Sequence, residues 1–390
     1  LRVLIVTSRF PFPPWRGNQV RTVEWLEALS DHDRIVLCPD PEDQDRSGEV
    51  ADGSVSIRRF RLRTPAGVLG IAASVAGGRP VQEGLYATGS ARRALRELLG
   101  DHRPDVAVVQ MVRCGWAVEA IRQHSPDTAI LFDAIDAMGL HFGRAASFVG
   151  PMLKPAYALE AELCRRRERW LSGQAELTTA VSARDLAALG SVDGSVVPVA
   201  GRVGLVERLE SRPPFVLLSG NLGYRPTVQS ATWFAERVWP EIRQSLPGLR
   251  WVLAGARPAA AIRRLSGLDG VEVQGDVPDL ARIQAAAALA IAPMREGSGV
   301  PMKVLEAWAA GVPVVAHPWT AEGLDASCRD GVVVADGASE WRRAIVQLMT
   351  DRTSAARLAA RGDECWKSRY SPDHIREQIR GAVRRAAASR

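Results

Sequence analysis

The sequence predicts an α/β protein of two doubly wound, Rossmann-like domains, each built on its own parallel sheet. Two observations carry that prediction. Short apolar runs rich in branched residues alternate with amphipathic segments, the pattern of buried parallel strands and their connecting helices. The alternation then starts afresh in the second half of the 390 residues. At about 150 residues per domain, each half has chain enough for a core of its own.

Val3–Thr7 is the first strand, leading into a Pro/Gly-rich loop at Ser8–Asn18 and an amphipathic segment at Gln19–Leu29. Arg34–Cys38, Val106–Gln110, Ala129–Asp133 and Leu177–Val181 are further strands, with helical periodicity over Ser90–Leu99 and Ala156–Leu171. The second half opens with Phe215–Ser219, which runs onto Gly220-Asn221-Leu222-Gly223, and Pro226 stands near the start of a helix reaching about Arg243. Trp251–Gly255, Val271–Val273, Leu289–Pro293 and Val312–Ala316 complete the second set. Val199–Pro214, rich in glycine, valine and arginine, is the expected linker. The expected domains are 1–205 and 206–365, with 366–390 as a final amphipathic helix. Open parallel sheets bind ligands at the carboxyl ends of their strands, so a site is to be sought just after each apolar run.

Composition excludes several classes. With 46% apolar and 24% charged residues and a net charge of +6, the chain is neither collagen-like, disordered nor membrane-spanning in bulk. A pI near 9.4 suits acidic substrates such as nucleotides and phosphates, or an anionic membrane surface. No zinc-finger spacing or base-stacking aromatic signature points to nucleic acid. Of the 50 basic residues, three are lysines, Lys154, Lys303 and Lys367, so a lysine in a special place stands out. The five cysteines form no CxxC pair and read as buried thiols of a reducing cytoplasm. Leu1–Thr7 is too short for a secretory leader, and Ala66–Gly78 is too short and glycine-rich to cross a bilayer.

The most informative segment runs from Ala292 to Ala316. It leaves a strand, passes Glu296-Gly297-Ser298-Gly299, and enters a helix with Pro301 in its first turn, where the missing N–H costs nothing. The free amides of that turn and the positive end of its dipole favour a phosphate. Lys303 adds a point charge, and Glu306, one turn on, can accept hydrogen bonds from the vicinal hydroxyls of a ribose.

This block resembles the donor-binding signature of the GT-B fold, retaining group 1 (GT4-like) glycosyltransferases. Glu306-Ala-Trp-Ala-Ala-Gly-Val-Pro-Val-Val315 is similar to the second half of the family's Glu-x7-Glu element and the strand after it. The first glutamate of the element falls on Ser298, a departure at the position that usually meets the donor sugar; Glu296, two residues earlier, is the candidate substitute. Ser219–Pro226 resembles the first loop of the family's donor domain, which implies that Asn221 borders the donor and Arg225 meets its diphosphate. Gly275–Leu280 is similar to the turn lining the nucleotide base, with Val277 against it, and Ala321–Leu324 resembles the loop after the Pro-Val-Val strand. The donor set implied is Gly17, Asn221, Arg225, Val277, Glu296, Gly297, Ser298, Gly299, Lys303 and Glu306.

In the first domain, Pro11–Thr22 resembles the family's Pro-Pro…Gly-Gly loop. There Gly17 offers unhindered backbone, and Asn18 and Arg21 are candidates to bind an oxygen-rich ligand. Phe132–Ala137 resembles an Asp-x-x-Asp segment, making Asp133 or Asp136 a candidate to orient or deprotonate an acceptor hydroxyl, with His141 in the same loop. The spacing is not that of a DxD metal motif, and Asp40–Asp45 reads as an acidic solvated loop, so neither a metal nor a cofactor beyond the sugar nucleotide is expected. Arg58, Arg59, Arg61 and Arg63, with Arg165–Arg167 and Arg169, are basic stretches that read as solvated faces or as attraction to anionic lipid.

The resemblance implies two domains facing across a cleft, the last helix crossing back onto the first. It further implies transfer of a sugar from a nucleoside-diphosphate donor to a hydroxyl of a glycan, lipid or natural product, with retention, in the cytoplasm or at the inner membrane face. Two alternatives share the nucleotide site: a degenerate subunit that activates a partner, and a sugar-nucleotide epimerase.

Overall fold

The computed structural model describes residues 1–14, 16–40, 55–62, 64–191, 193–200, 213–296 and 299–389. Most of the expected linker and of the Asp40–Asp45 loop, together with Trp15, Arg63 and the site candidates Gly297 and Ser298, lie outside the described residues. The chain divides into two units, Leu1–Val199 with Asp373–Arg390, and Ala200–Pro372.

The sheet of the first unit contains β1 (Arg2–Val6), β2 (Asp33–Pro39), β3 (Val55–Phe60), β4 (Val106–Gln110), β5 (Ala129–Ile135), β6 (Leu177–Ala180) and β7 (Gly194–Val196), in the order β3-β2-β1-β4-β5-β6-β7. The sheet of the second contains β8 (Phe215–Asn221), β9 (Arg250–Ala256), β10 (Val271–Gly275), β11 (Leu289–Ala292), β12 (Val314–Ala316) and β13 (Val333–Val334), ordered β10-β9-β8-β11-β12-β13. All pairings are parallel. Both sheets therefore reverse direction beside their first strand, at β1/β4 and β8/β11, where a crevice opens at the strands' carboxyl ends.

The continuous apolar runs follow from burial on both faces. Along β8, Val216 and Leu218 point into one cluster with Phe234, Trp251 and Trp341, while Phe215 and Leu217 point into another with Trp308 and Tyr370. Three strands fall outside those the sequence predicted. β3 alternates exposed and half-buried residues as an edge strand does, and its Arg58 and Arg59 made it read as a basic stretch. Arg58 is paired with Glu97, and Arg59 lies 4.8 Å from the Phe10 ring. β7 and β13, of three and two residues, are too short to give a periodic signal.

The chain past Trp366 divides. Trp366–Tyr370 forms a π-helical turn in the core of the second unit, where the Tyr370 hydroxyl accepts from the Asp325 amide at 2.7 Å. The Pro372–Ala388 helix belongs with the first unit: Ile375, Ile379 and Val383 are buried, and Arg380 Nε donates to the Ala28 carbonyl at 2.6 Å.

Candidate functional site

In the second unit the crevice floor is bare backbone. Gly220, near the end of β8, has φ 119°, and Gly255, beside it on β9, has φ 150°. A Cβ on Gly255 would lie 1.7 Å from the Gly220 carbonyl oxygen, so only glycine permits this approach. Directly above, a Cβ on Gly220 would meet the Lys303 side chain, at 4.0 Å from Cε.

Lys303 is the second residue of the Met302–Ala309 helix, whose N-cap, rather than first turn, is Pro301. Lys303 Nζ lies 3.3 Å from the Met294 sulfur, a weak acceptor, and burial lowers its pKa to about 8 even with Glu306 opposing the shift. An ammonium so placed is poised for an anion. One turn on, half-buried Glu306 accepts from Gln284 Nε2 at 2.7 Å, which fixes its carboxylate. The approach to this helix is held from beneath. Thr320 Oγ1 donates to the carbonyls of Ala292 and Met294 at 3.2 and 3.0 Å. Gly299 takes φ 77°, and its carbonyl would lie 2.4 Å from a Cβ on Gly323, so the Ala321–Leu324 loop needs its glycine. Gln284, Met294 and Thr320 were not legible as site residues, since each acts by holding another group.

Arg225 opens the Arg225–Arg237 helix and donates from Nη2 to Glu296 Oε2 at 2.8 Å. The Glu296 side chain is 4% exposed, its Oε1 has no partner among the described residues, and burial raises its pKa against the pull of Arg225. Arg225 is thus largely neutralised by a carboxylate, which leaves Lys303 as the less compensated cation. Asn221 ends β8 and accepts from the Gly223 amide at 3.0 Å, and half-buried Val277 follows β10.

In the first unit, Asp133 and Arg21 form a fully buried pair. Arg21 Nε and Nη2 meet the two Asp133 oxygens at 3.1 and 2.9 Å, and Nη1 donates to the Pro198 carbonyl at 2.7 Å. Thr179 Oγ1 and Gln110 Nε2 add donors to Asp133 at 2.8 and 3.2 Å. Arg21 is therefore no free ligand-binding side chain, and Asp133 has both oxygens engaged; each was read from the sequence without its partner, 112 residues away.

Asp136 differs. The backbone twists at Ile135, a β-branched residue at φ 59°, and the pairing of β5 with β6 shifts register there. Half-buried Asp136 follows, its pKa raised to about 7 by burial, then by Asp185 and Asp133, against Arg113 and Arg184. Two further carboxylates hold the next three amides. Asp185 Oδ1 accepts from Ala137 N at 3.2 Å, and Glu168 accepts from Met138 N and Gly139 N at 2.6 and 3.2 Å. That cap starts the Met138–Ala145 helix at once, so His141 lies on a helix and not in a loop, edge-on to Phe142 at 5.5 Å. Exposed Gly17 begins the Gly17–Ala28 helix with nothing within 4 Å of a built Cβ. Among the described residues no three His, Cys, Asp or Glu side chains are placed to hold a metal ion.

Residues 213–351 match the family model described as glycosyl transferases group 1. The second unit is a group 1 glycosyltransferase domain. Solved structures give the whole chain the GT-B fold of these glycosyltransferases. Sucrose-phosphate synthase from Thermosynechococcus elongatus matches with TM-score 0.74 and 16% identity over 100% of both chains. A trehalose-6-phosphate synthase, studied for glycosyltransfer with retention, matches with TM-score 0.69 and 12% identity over 98% of this chain and 99% of that one. The Anabaena HepE protein in complex with UDP matches with TM-score 0.66 and 13% identity over 98% and 100%. A search of curated protein sequences gave no match.

Proposed function

We propose that this glycosyltransferase moves a sugar from a nucleoside-diphosphate donor to a hydroxyl acceptor, with retention at the anomeric carbon. The observation that carries the reading is Lys303. A half-buried ammonium whose hydrogen-bond partner among the described residues is a thioether lies over a glycine floor, three residues from a carboxylate fixed for a ribose. In this reading Lys303 binds the diphosphate and stabilises the charge that develops on it as the anomeric C–O bond breaks. Glu306 accepts from the ribose hydroxyls, and Glu296, with one oxygen unpartnered among the described residues, accepts from a hydroxyl of the donor sugar. The sugar carbon bonds to the acceptor oxygen, whose proton passes to Asp136. Retention is supported by the likeness to a synthase studied for that outcome.

The test is a thermal-shift panel of UDP, GDP, dTDP, ADP and CDP, followed by turnover of sugars on the nucleotide that shifts. At about 100 times its dissociation constant the right nucleotide stabilises the fold by about 2.7 kcal/mol. No shift with any nucleotide overturns the reading.

Asp136→Asn is expected to lower turnover by about 10²- to 10⁴-fold, the usual contribution of a positioned base. Wild-type turnover is expected to rise with pH through about 7 as the carboxyl ionises. The stability effect has the opposite sense. A carboxyl with a raised folded-state pKa gives stability below its unfolded value that is lost as pH rises through about 7, so Asp136→Asn should melt higher than wild type above that pH. Melting curves at pH 6 and 8 check it; a variant both inactive and less stable at pH 8 would mark Asp136 as structural.

A further inference from the structure

We propose that the first unit docks on an anionic lipid bilayer through the connection ahead of the Lys154–Gln174 helix and the outer face of that helix. Met152 and Leu153, in that connection, are 93% and 57% exposed. Pro151 before them and Pro155 after them restrict the backbone that presents them. Leu159, one turn into the helix, is 53% exposed. The same face continues at helical spacing through Glu162 to Arg166 and Arg169, with Arg165 at its edge and Lys154 at its start, all of these cations exposed. The face is thus graded, apolar at the amino end and basic further along. Leu159 and Arg166 are seven residues apart, about 10 Å along a helix, close to the separation of acyl boundary and headgroup phosphates.

Neighbouring elements extend the apolar end. Glu160, on the inner face, accepts from the amides of Val81 and Gln82 at 2.8 and 3.3 Å and so holds the Val81–Tyr86 helix alongside, whose Leu85 is exposed. The Thr64–Ala76 helix has no charged residue and packs backbone to backbone on Val81–Tyr86: a Cβ on Gly70 would lie 2.4 Å from the Gly84 carbonyl. Its Val75 is exposed too. Apolar tips from three adjoining elements beside cations of one sign fit a surface with an apolar interior and an anionic skin. A second copy seated symmetrically on the face would bring the same arginines together, which disfavours it. Glu162 is the one acid on this helix face, and it already pairs with Arg165 and Arg166, at 2.7 Å each.

The test is co-sedimentation of the full chain with vesicles of equal phosphatidylglycerol and phosphatidylcholine, and with phosphatidylcholine alone, at 0.1 M salt. Wild type is expected to pellet with the anionic vesicles, weakly with the neutral ones, and less as salt rises. Met152→Asp/Leu153→Asp should lower the partition coefficient at least ten-fold, and Arg165→Ala/Arg166→Ala about 25-fold, at about five-fold per cation. Unchanged melting temperatures would show that both variants fold. Failure of wild type to bind anionic vesicles, or equal binding by wild type and both variants, overturns the proposal. So does a wild-type dimer by sedimentation velocity that the Met152/Leu153 variant abolishes, which would assign the patch to a second copy.

Discussion

Lys303→Ala should remove half or more of the thermal stabilisation given by the matching nucleoside diphosphate. A charge-assisted hydrogen bond is worth about 1.5–3 kcal/mol, so its loss raises the dissociation constant roughly 10- to 100-fold. Ligand that stood at about 100 times that constant would then stand at about 1 to 10 times it, and the stabilisation falls from about 2.7 to about 0.4–1.4 kcal/mol. The pH dependence gives a sharper check. Burial lowers the pKa of Lys303 to about 8, so the free site is charged at pH 7 and loses its charge as pH rises past that value. Affinity measured by calorimetry should be highest below pH 8 and fall above it, with a proton taken up on binding at pH 9. Lys303→Arg keeps the charge and should flatten the profile. A nucleotide that binds Lys303→Ala as it binds wild type would show that the diphosphate lies elsewhere.

The largest effect on stability is expected from Arg21→Ala. The substitution strands the Asp133 carboxylate in a fully buried position, with Thr179 and Gln110 as its remaining side-chain donors. Breaking a buried pair on one side costs about 3–5 kcal/mol, because the surviving charge has neither water nor counter-ion. Urea unfolding should show the first unit losing that amount. Replacing both members with apolar residues, as Arg21→Met/Asp133→Leu, should recover much of it, since the penalty lies in the orphaned charge more than in the lost attraction. A cost under about 1 kcal/mol would show that the fold does not need Arg21 opposite the Asp133 carboxylate.

Much of this fold was legible because apolar runs report burial on both sheet faces. Leu289–Ala292 and Val314–Ala316 are such runs, and the residues after them fall at the crevice because strands of one direction share one end. Lys303 and Glu306 were legible for a related reason: they sit on one helix at local spacing, and a cation is conspicuous in a chain with three lysines. What stayed hidden is pairing over long range. Arg21 read as a ligand-binding arginine and Asp133 as a base until the fold brought them together, and Arg225 looked free until Glu296, 71 residues on, was found beside it. Asp136 was visible, but nothing local tells it from Asp133; the difference lies in Ile135, Asp185 and Glu168, which turn one carboxyl outward and crowd it. The edge strand β3 was missed because exposed arginines break its apolar signal.

The Pro372–Ala388 helix ties the order of synthesis to the order of folding. Ile375, Ile379 and Val383 fill space in a core whose other walls are made within the first 199 residues. The first unit to leave the ribosome is therefore the last to be finished, since its closing piece emerges only after the entire second unit. Until then it must persist as a near-complete sheet with one apolar flank uncovered, in the company of a downstream unit that is contiguous in sequence.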